Sequence, residues 1–295
     1  MPELPEVETI KNQLKEKIIG KTIKGVEVKL PKMIKGMEAK EFIAKVKGAK
    51  IKDISRRAKL LIISLSNGYS LLIHLKLTGQ IIYCQKFPEG KNQKYSHLIY
   101  YFSDGSVLSH NDLRQLGYVK LVKTANLPEF FLKEKFGPEP LEKDFTLEKF
   151  KEILGKKVIQ KMKLERNPPK SRSAGRRRIK PLLMDQSFIA GVGNVYANEV
   201  CFCAGVLPTR EAGDFKDKEI KKLYQCLINI LQEAIRLRGT SADTYVDLHG
   251  RKGKYLPKLK VYGREGKKCL NCQSKIKRIT LKGRGTFYCP KCQPR

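Results

Sequence analysis

Four cysteines near the end of the chain form its most specific motif. Cys269 and Cys272 are separated by two residues, as are Cys289 and Cys292, and 16 residues lie between the two pairs. This spacing can bring four thiolates to one tetrahedral zinc ion. Because four cysteine ligands leave no open coordination position, the predicted zinc is structural and not catalytic.

The first residues of the chain could carry a different chemistry. If Met1 is removed, Pro2 gains a free secondary amine, which can form a Schiff base with an aldehyde-level carbon. Two carboxylates, Glu3 and Glu6, follow immediately. The same residues also suit an ordinary helix N-terminus, because proline is tolerated in a first turn and acidic side chains favour the positive end of the helix dipole. From these residues alone, both interpretations stay open.

The N-terminal residues lead directly into a predicted helix. Val7, Ile10, Leu14 and Ile18 recur at the spacing of one helix face. We expect this helix to run to about Gly20. The proline, the amine and the acidic side chains would then be held at its first turn.

The first half of the chain is otherwise rich in predicted strands. Strand-like character begins at Ile23, and the turn signals Asn67-Gly68 and Asp104-Gly105 separate later segments. The segments predicted as strands are 60–65, 70–77, 80–84, 97–102 and 118–122. Their short length and spacing predict an antiparallel sandwich or barrel.

The pattern changes at residues 136–140, where two prolines and a glycine predict a linker. Helical periodicity follows it. One predicted helix is capped by Thr146 and stops at Gly155, another covers 181–184, and a longer amphipathic helix ends at Gly239. The second half of the chain is therefore predicted to be mainly helical.

A glycine-rich turn at 191–194 precedes a further predicted helix. Backbone N–H groups at such a helix start can bind phosphate, although a tight interhelical turn is equally compatible with the sequence. Upstream of it, residues 170–180 hold six Lys and Arg and no acidic residue. We assign this basic segment no specific role beyond added phosphate contact.

Charge is the dominant feature of the composition. The 295 residues carry 61 Lys and Arg against 29 Asp and Glu, a net charge of +32. Such a charge predicts a polyanionic partner, and DNA, RNA and an anionic membrane surface all remain open from charge alone. Residues 251–295 alone hold 15 basic residues and one acidic residue, which makes the predicted zinc hairpin a candidate reader of a nucleic acid backbone. The apolar runs are too short for a membrane helix.

The N-terminal sequence lacks the basic and apolar regions of a secretory signal, so we expect a reducing cytosol. The cysteines outside the zinc motif, Cys84, Cys201, Cys203 and Cys226, are therefore predicted to be free thiols.

These motifs, in this order, resemble the bacterial formamidopyrimidine-DNA glycosylase family over nearly the whole chain. The resemblance implies a multidomain α+β fold with an N-terminal β-sandwich and flanking helices, a helix–two-turn–helix domain and a C-terminal four-cysteine zinc finger, with DNA in the cleft between. The predicted domains are residues 1–135, a linker at 136–146, residues 147–262 with a lesion loop at about 239–257, and residues 263–295. The implied partner is double-stranded DNA with oxidised or abasic sites, and one structural zinc is the implied cofactor.

The implied activity is base excision repair by a bifunctional glycosylase and AP lyase that removes oxidised purines. In that family the residue matching Pro2 attacks C1′ of the damaged nucleotide, the residue matching Glu3 is the acid/base, and Glu6 supports the site. β- and δ-elimination then cut the strand. A monomer acting in the bacterial cytoplasm is the expected form. The resemblance also implies that Lys59 and Arg284 are catalytic residues that contact phosphate. Further residues match family positions that bind DNA, either at phosphate or near the lesion: His74, Arg114, Lys180, Asn194 and Tyr262.

The family also fills the gap left by an everted base with three side chains, typically Met, Arg and Phe. The matching residues here are Leu77, Arg114 and Leu116. Leucine can still act as an apolar wedge, but Leu116 lacks the aromatic stacking of Phe. We therefore expect damage search or opposite-base preference to differ.

Two other functions fit parts of the sequence. Endonuclease VIII-like glycosylases use the same amine chemistry on oxidised pyrimidines, but they usually begin Pro-Glu-Gly-Pro-Glu, so Leu4 and the lesion-loop segment favour the purine enzyme. A zinc-containing DNA-binding protein without catalysis, in which Pro2 only caps a helix, is the alternative from another class.

Overall fold

Helix α1 (Leu4–Ile18) opens the chain in the computed structural model, which describes residues 2–86, 95–164 and 178–294, with only the backbone described over 157–164. The apolar face predicted for this helix is fully buried. The helix ends two residues before Gly20, whose φ of +83° suits glycine. The predicted first helix is therefore confirmed.

The chain forms two compact units, Met1–Glu134 with Ala234–Pro257, and Lys135–Glu233 with Lys258–Arg295. The first unit contains two sheets. One has the strand order β1 (Ile23–Val28), β7 (Ser96–Phe102), β8 (Val107–Asp112) and β6 (Gly79–Cys84). The other has the order β2 (Ile34–Lys35), β9 (Tyr118–Lys123), β5 (Tyr69–His74), β4 (Leu60–Leu65) and β3 (Ile51–Arg57). All pairings are antiparallel except that of β2 with β9.

One hydrophobic core joins the inner faces of both sheets to α1 and to α2 (Ala39–Val46). The opposite face of β4 and β5 packs against α3 (Leu127–Glu134). Strand β4 is thus covered on both faces, which explains its continuous run of apolar residues. The predicted sandwich is confirmed.

Strands β3 and β8 are present although the sequence pattern did not predict them. Only Ile51 and Ile54 of the edge strand β3 are buried. Strand β8 carries polar side chains, such as His110 and Asp112, at fully buried positions. In both cases pairing with a neighbouring strand outweighs a weak hydrophobic pattern.

The second unit is mainly helical, as predicted. It contains α4 (Leu147–Leu164), α5 (Ile179–Leu183), α6 (Asn194–Ala204) and most of α7 (Asp217–Arg236), with the hairpin β10 (Lys277–Leu281) and β11 (Arg284–Tyr288). The prediction that α4 stops at Gly155 was wrong. A helical glycine costs only about 1 kcal/mol relative to alanine, and the residues after it are mostly good helix formers.

The prediction of four free thiols was wrong for one pair. Cys203 and Cys226 form a disulfide between α6 and α7, with their Cα atoms 5.9 Å apart. The two cysteines lie on different helices, and their separation of 23 residues does not reveal the pairing. Cys84 and Cys201 are thiols as predicted. None of the helices in the described ranges is long and apolar enough to cross a membrane.

Candidate active site

The N-terminal turn is buried and shaped by Glu6. Glu3 precedes α1 in an extended conformation, and its backbone N–H donates to Oε2 of Glu6 at 2.8 Å. Glu3 and Glu6 are only 1% and 2% exposed, and Pro2 is buried beside them. The sequence thus forms a Glu-x-x-Glu capping box in which the first carboxylate is held next to the proline.

The other oxygen of Glu6 anchors the segment that we predict to be the lesion loop. The backbone N–H of Thr240 donates to Oε1 of Glu6 at 2.7 Å. The preceding Gly239 has a φ of +78°, and a Cβ there would lie 2.7 Å from the same carboxylate oxygen. Glycine is therefore required at this position.

The rest of this segment packs within the first unit. Tyr245 and Leu248 are buried in its core. Asp247 is fully buried and accepts hydrogen bonds from Gln13 and from Arg238, each at 3.1 Å. Burial alone would raise the pKa of Asp247, but hydrogen bonds from the backbone N–H of Arg251 and from Gln13 hold it below its ordinary value.

Lys59 lies in the two-residue turn between β3 and β4. Ala58 has a φ of +54°, and Lys59 is 8% exposed. Arg56 links the turn to α1. Its Nε donates to Glu8 of α1 at 2.9 Å, and its Nη1 donates to the carbonyl of Ala58 at 2.9 Å. The turn is therefore tied to the helix that carries the N-terminal residues.

His74 ends strand β5 and is neutral near physiological pH. Burial, together with the positive charges of Lys76 and Lys59, lowers its pKa to about 3. Its Nδ1 accepts the backbone N–H of Lys76 at 3.0 Å. The ring proton must then reside on Nε2, which makes His74 a neutral hydrogen-bond donor.

The three predicted wedge residues lie on two loops of the first unit. Leu77 is partly buried in the turn between β5 and β6, while Arg114 and Leu116 are exposed in the turn between β8 and β9. Leu116 is 48% exposed, and its neighbour Leu113 is 51% exposed. Such exposure of two leucines on one loop is typical of a contact surface.

In the second unit, Asn194 begins α6 at the predicted glycine-rich turn. Gln186 shapes this turn, because its amide group donates to the carbonyl of Val192 at 2.8 Å and accepts from the N–H of Gly191 at 2.9 Å. The Oδ1 of Asn194 accepts a hydrogen bond from Nζ of Lys180 at 2.7 Å. Because an ammonium is only a donor, this contact directs the Nδ2 of Asn194 away from Lys180.

Lys180 is 1% exposed and lies against the zinc hairpin of the same unit. Besides Asn194, its Nζ donates to Oγ1 of Thr286 at 2.8 Å and to the carbonyl of Gly285 at 3.2 Å. The structure therefore gives Lys180 a buried position that joins the start of α6 to β11.

Tyr262 is positioned by a buried carboxylate on α6. Glu199 accepts hydrogen bonds from the backbone N–H groups of Lys260, Val261 and Tyr262 at 2.8–3.0 Å. Burial raises the pKa of Glu199, and the three amide donors oppose that shift. The ring of Tyr262 packs edge-on against Phe287, with the ring centroids 5.3 Å apart.

Arg284 begins β11 directly after the two-residue turn Lys282-Gly283. Both turn residues have positive φ, as a tight hairpin requires. Arg284 is exposed at this tip. The hairpin is fixed to α6, because the N–H of Phe287 donates to Oδ1 of Asn198 at 2.8 Å.

Three family models match the chain in succession. The model of the formamidopyrimidine-DNA glycosylase N-terminal domain matches residues 1–119, and the model of the H2TH domain of the same enzyme matches residues 136–246. The model of the zinc finger found in FPG and IleRS matches residues 266–295.

Full-length relatives agree with these models. The formamidopyrimidine-DNA glycosylase of Pelotomaculum thermopropionicum is 41% identical over 99% of both chains. That of Listeria monocytogenes is 38% identical over 99% of this chain and 100% of its own. This chain belongs to the formamidopyrimidine-DNA glycosylase family.

Solved structures support the membership. A Lactococcus lactis FPG mutant in complex with a Fapy-dG containing DNA has a TM-score of 0.86 and 35% identity, with full coverage of both chains. The Lactococcus lactis Fpg with an abasic site containing DNA has a TM-score of 0.85 and 35% identity over 99% of this chain and all of its own.

As in the family's zinc finger, the four C-terminal cysteines hold one structural zinc. Their sulfur atoms all lie within 4.8 Å of one another, and Cys269 and Cys292 are 3.8 Å apart at sulfur, which fits a tetrahedral site with zinc–sulfur distances of about 2.3 Å. Hydrogen bonds from Ser274 lower the pKa of Cys272 to about 6, which favours the thiolate that zinc requires.

Sequence patterns missed several residues that position the predicted site residues within each unit. Gln186 and Asp112 each accept a hydrogen bond from a backbone N–H group five residues further along the chain, at Gly191 and Gly117. Glu199 accepts from the backbone N–H of Tyr262 in a distant segment. The only signal in the sequence is a polar residue inside an otherwise buried element. Residues 170–177 of the basic segment lie outside the described residues.

Proposed function

We propose that this protein is a bifunctional DNA glycosylase and AP lyase that excises oxidised purines, such as 8-oxoguanine and formamidopyrimidines, from duplex DNA. The observation that carries the proposal is the buried N-terminal turn, in which Glu6 fixes Glu3 next to Pro2. A turn that served only as a helix cap would not need two carboxylates removed from water, since burial of a carboxylate is costly.

The proposed reaction begins when the amine of Pro2 attacks C1′ of the damaged nucleotide. The N-glycosidic bond breaks as the N–C1′ bond forms, and the base leaves with a proton. The proton that the base takes comes from the Pro2 nitrogen. Glu3 then protonates O4′ as the C1′–O4′ bond breaks, and the nitrogen lone pair forms the iminium, which acidifies C2′. Loss of the 3′ phosphate and then of the 5′ phosphate cuts the strand on both sides of the sugar.

The position of Pro2 also favours the reactive form of the amine. It lies at the N-terminus of α1, where the helix dipole disfavours a positive charge by about 0.3–1 kcal/mol. The mechanism requires removal of Met1, because a peptide bond at Pro2 would leave no nucleophilic nitrogen.

Phosphate binding is proposed for both units. In the first unit, the neutral His74 can donate from Nε2, and Lys59 supplies a nearby cation. In the second unit, we propose that Asn194, Tyr262 and Arg284 bind phosphates, with Lys180 holding Asn194 in the donating orientation. The net charge of +32 supports binding that weakens steeply with salt.

The lesion class has two candidates. Oxidised purines are proposed first, because a Lactococcus lactis relative was solved with Fapy-dG containing DNA. Oxidised pyrimidines are the second candidate, since the wild-type Lactococcus lactis protein was also solved with an oxidised pyrimidine containing DNA. Excision of 8-oxoguanine and of thymine glycol by the same preparation ranks the two classes.

Borohydride trapping tests the proposed chemistry. Mature protein should form a covalent adduct with duplex DNA containing 8-oxoguanine opposite cytosine, and peptide mapping should place the adduct on Pro2. Pro2→Gly and Glu3→Gln should reduce excision by at least about a hundredfold, as expected for loss of a nucleophile or an acid/base. Glu16→Gln, an exposed position on the same helix, is the matched control. An unchanged adduct in the Pro2 and Glu3 variants would overturn the proposal.

We further propose that the protein acts as a monomer in the cytoplasm, where chromosomal DNA is found. One amine is sufficient for one lesion, so the chemistry requires no second copy. Sedimentation of the protein with and without lesion DNA should give one protein per duplex. A stable dimer on a single lesion would contradict this.

A further inference from the structure

The carboxylate of Asp112 lies beneath the loop that carries two of the predicted wedge residues. Asp112 ends strand β8 and is 0% exposed. Its Oδ1 accepts from the backbone N–H of Arg114 at 3.1 Å, and its Oδ2 accepts from the N–H of Gly117 at 2.6 Å. One carboxylate thus accepts hydrogen bonds from backbone groups at both ends of the 113–116 loop.

Thr78 connects this carboxylate to the other wedge loop. The hydroxyl of Thr78 donates to Oδ1 of Asp112 at 2.5 Å and accepts from the backbone N–H of Arg114 at 3.0 Å. Thr78 directly follows Leu77. The loop of Leu77 and the loop of Arg114 are therefore held together by a closed set of hydrogen bonds.

The glycines beside this network leave the loops little freedom to relax. A Cβ at Gly79 would lie 2.5 Å from the carbonyl oxygen of Leu75, and a Cβ at Gly117 would lie 3.0 Å from Oδ2 of Asp112. Gly79 is also the direct strand partner of Asp112 in the β6–β8 pair. Both loops therefore join the sheet at directly paired positions.

We propose that Thr78 and Asp112 are positioning residues that hold Leu77, Arg114 and Leu116 in register as a single preformed wedge. The inference rests on the proposed function. A wedge that is already ordered loses less conformational entropy when it enters the base stack. This matters here because leucine lacks the aromatic face of Phe and must fill the gap by shape alone.

The chemistry of the network explains why a carboxylate is present. Asp112 accepts from one hydroxyl and two N–H groups, which requires an acceptor on both oxygens. An asparagine would place an NH₂ donor against either Gly117 or the Thr78 hydroxyl and the Arg114 N–H. Asp112→Asn should therefore separate the loops, and Thr78→Val should break the link while keeping the side-chain shape.

Three measurements on full-length protein test the inference. Single-turnover excision of 8-oxoguanine opposite cytosine should fall about tenfold in Thr78→Val, as expected for loss of a buried hydrogen bond. Borohydride trapping on a preformed abasic site should change by less than about threefold, because no base pair has to be broken there. Thr78→Ser, which retains the hydroxyl, should restore excision.

The third measurement detects insertion of the wedge residues into the DNA without any catalytic step. Fluorescence of 2-aminopurine placed opposite a reduced abasic-site analogue should rise on binding of the wild type and of Thr78→Ser, and less for Thr78→Val and Asp112→Asn. Asp104→Asn is the matched control, since Asp104 makes similar hydrogen bonds to the N–H and hydroxyl of Ser106 at the other end of β8.

Wild-type excision and fluorescence in Thr78→Val would overturn the inference. An equal loss on 8-oxoguanine and on abasic DNA that Thr78→Ser does not restore would also overturn it. A wild type that fails to trap on either DNA would overturn the proposed function instead, while the fluorescence comparison would still decide the role of Thr78.

Discussion

Lys180 donates a hydrogen bond from Nζ to Oδ1 of Asn194 at 2.7 Å, and the same buried ammonium donates to Oγ1 of Thr286 at 2.8 Å. The start of α6 and the zinc hairpin are thus held by one cation. The contact fixes Oδ1 of the Asn194 amide toward Lys180, so Nδ2 is the end that is left to bind another group.

Asn194→Asp should weaken DNA binding without lowering the stability of the protein. The new carboxylate can still accept from Lys180, so the melting temperature should stay the same or rise. The Nδ2 donor is lost and a negative charge replaces it, so affinity for lesion DNA should fall at least about tenfold, a cost of about 1.4 kcal/mol or more. Asn229→Asp, at an exposed position of α7, is the control. Equal effects of the two substitutions would contradict the predicted phosphate contact.

Arg284→Ala should alter the salt dependence of DNA binding. If Arg284 contacts one phosphate, its loss should reduce the slope of log K against log salt by about 1 and weaken binding for all sequences alike. Lys282→Ala removes a cation from the same exposed turn and should change the slope less. Titrations at several salt concentrations measure both slopes, and an unchanged slope for Arg284→Ala would refute the contact.

Removal of zinc should unfold the C-terminal finger. The four cysteine sulfur atoms lie together around one site, so zinc binding supplies much of the folding free energy of such a small unit. We expect native mass spectrometry to give one zinc per chain. Chelation or Cys272→Ser should remove the zinc and weaken DNA binding, whereas Cys84→Ser should retain both. Full DNA affinity in metal-free protein would refute the role of the finger.

Stability should fall on acidification because two histidines, the fully buried His110 and the partly buried His74, remain neutral in the folded protein. Burial lowers the pKa of His110 to about 4 and that of His74 to about 3. Unfolded histidine titrates near 6.5, so below that pH the unfolded chain binds protons that the folded chain does not. Each histidine should then remove up to about 1.4 kcal/mol per pH unit until its folded pKa is reached.

Urea unfolding at several pH values measures this loss. His110→Leu should reduce the pH dependence by about one proton, and His249→Leu, at an exposed position, should leave it unchanged. A pH dependence that is the same in wild type and His110→Leu would show that His110 does not titrate on unfolding.

The amino-acid sequence by itself determined the features that depend on local spacing. The zinc ligands, the amphipathic α1, the glycine-rich start of α6 and six of the strands all follow from periodicity or motif, because each is encoded within a short segment. The order of these motifs along the chain also carried the family resemblance, which full-length relatives confirm.

Only the tertiary structure decided which distant polar groups meet. Lys180 is part of a basic segment in the sequence, yet it lies buried among three acceptors. Asp112 lies in a strand with only a weak hydrophobic pattern, and the disulfide partners Cys203 and Cys226 carry no motif. Hydrophobic periodicity in the sequence indicates which face of a helix or strand is apolar. A buried hydrogen bond or disulfide instead depends on the relative placement of separate elements, which is fixed only when the core packs.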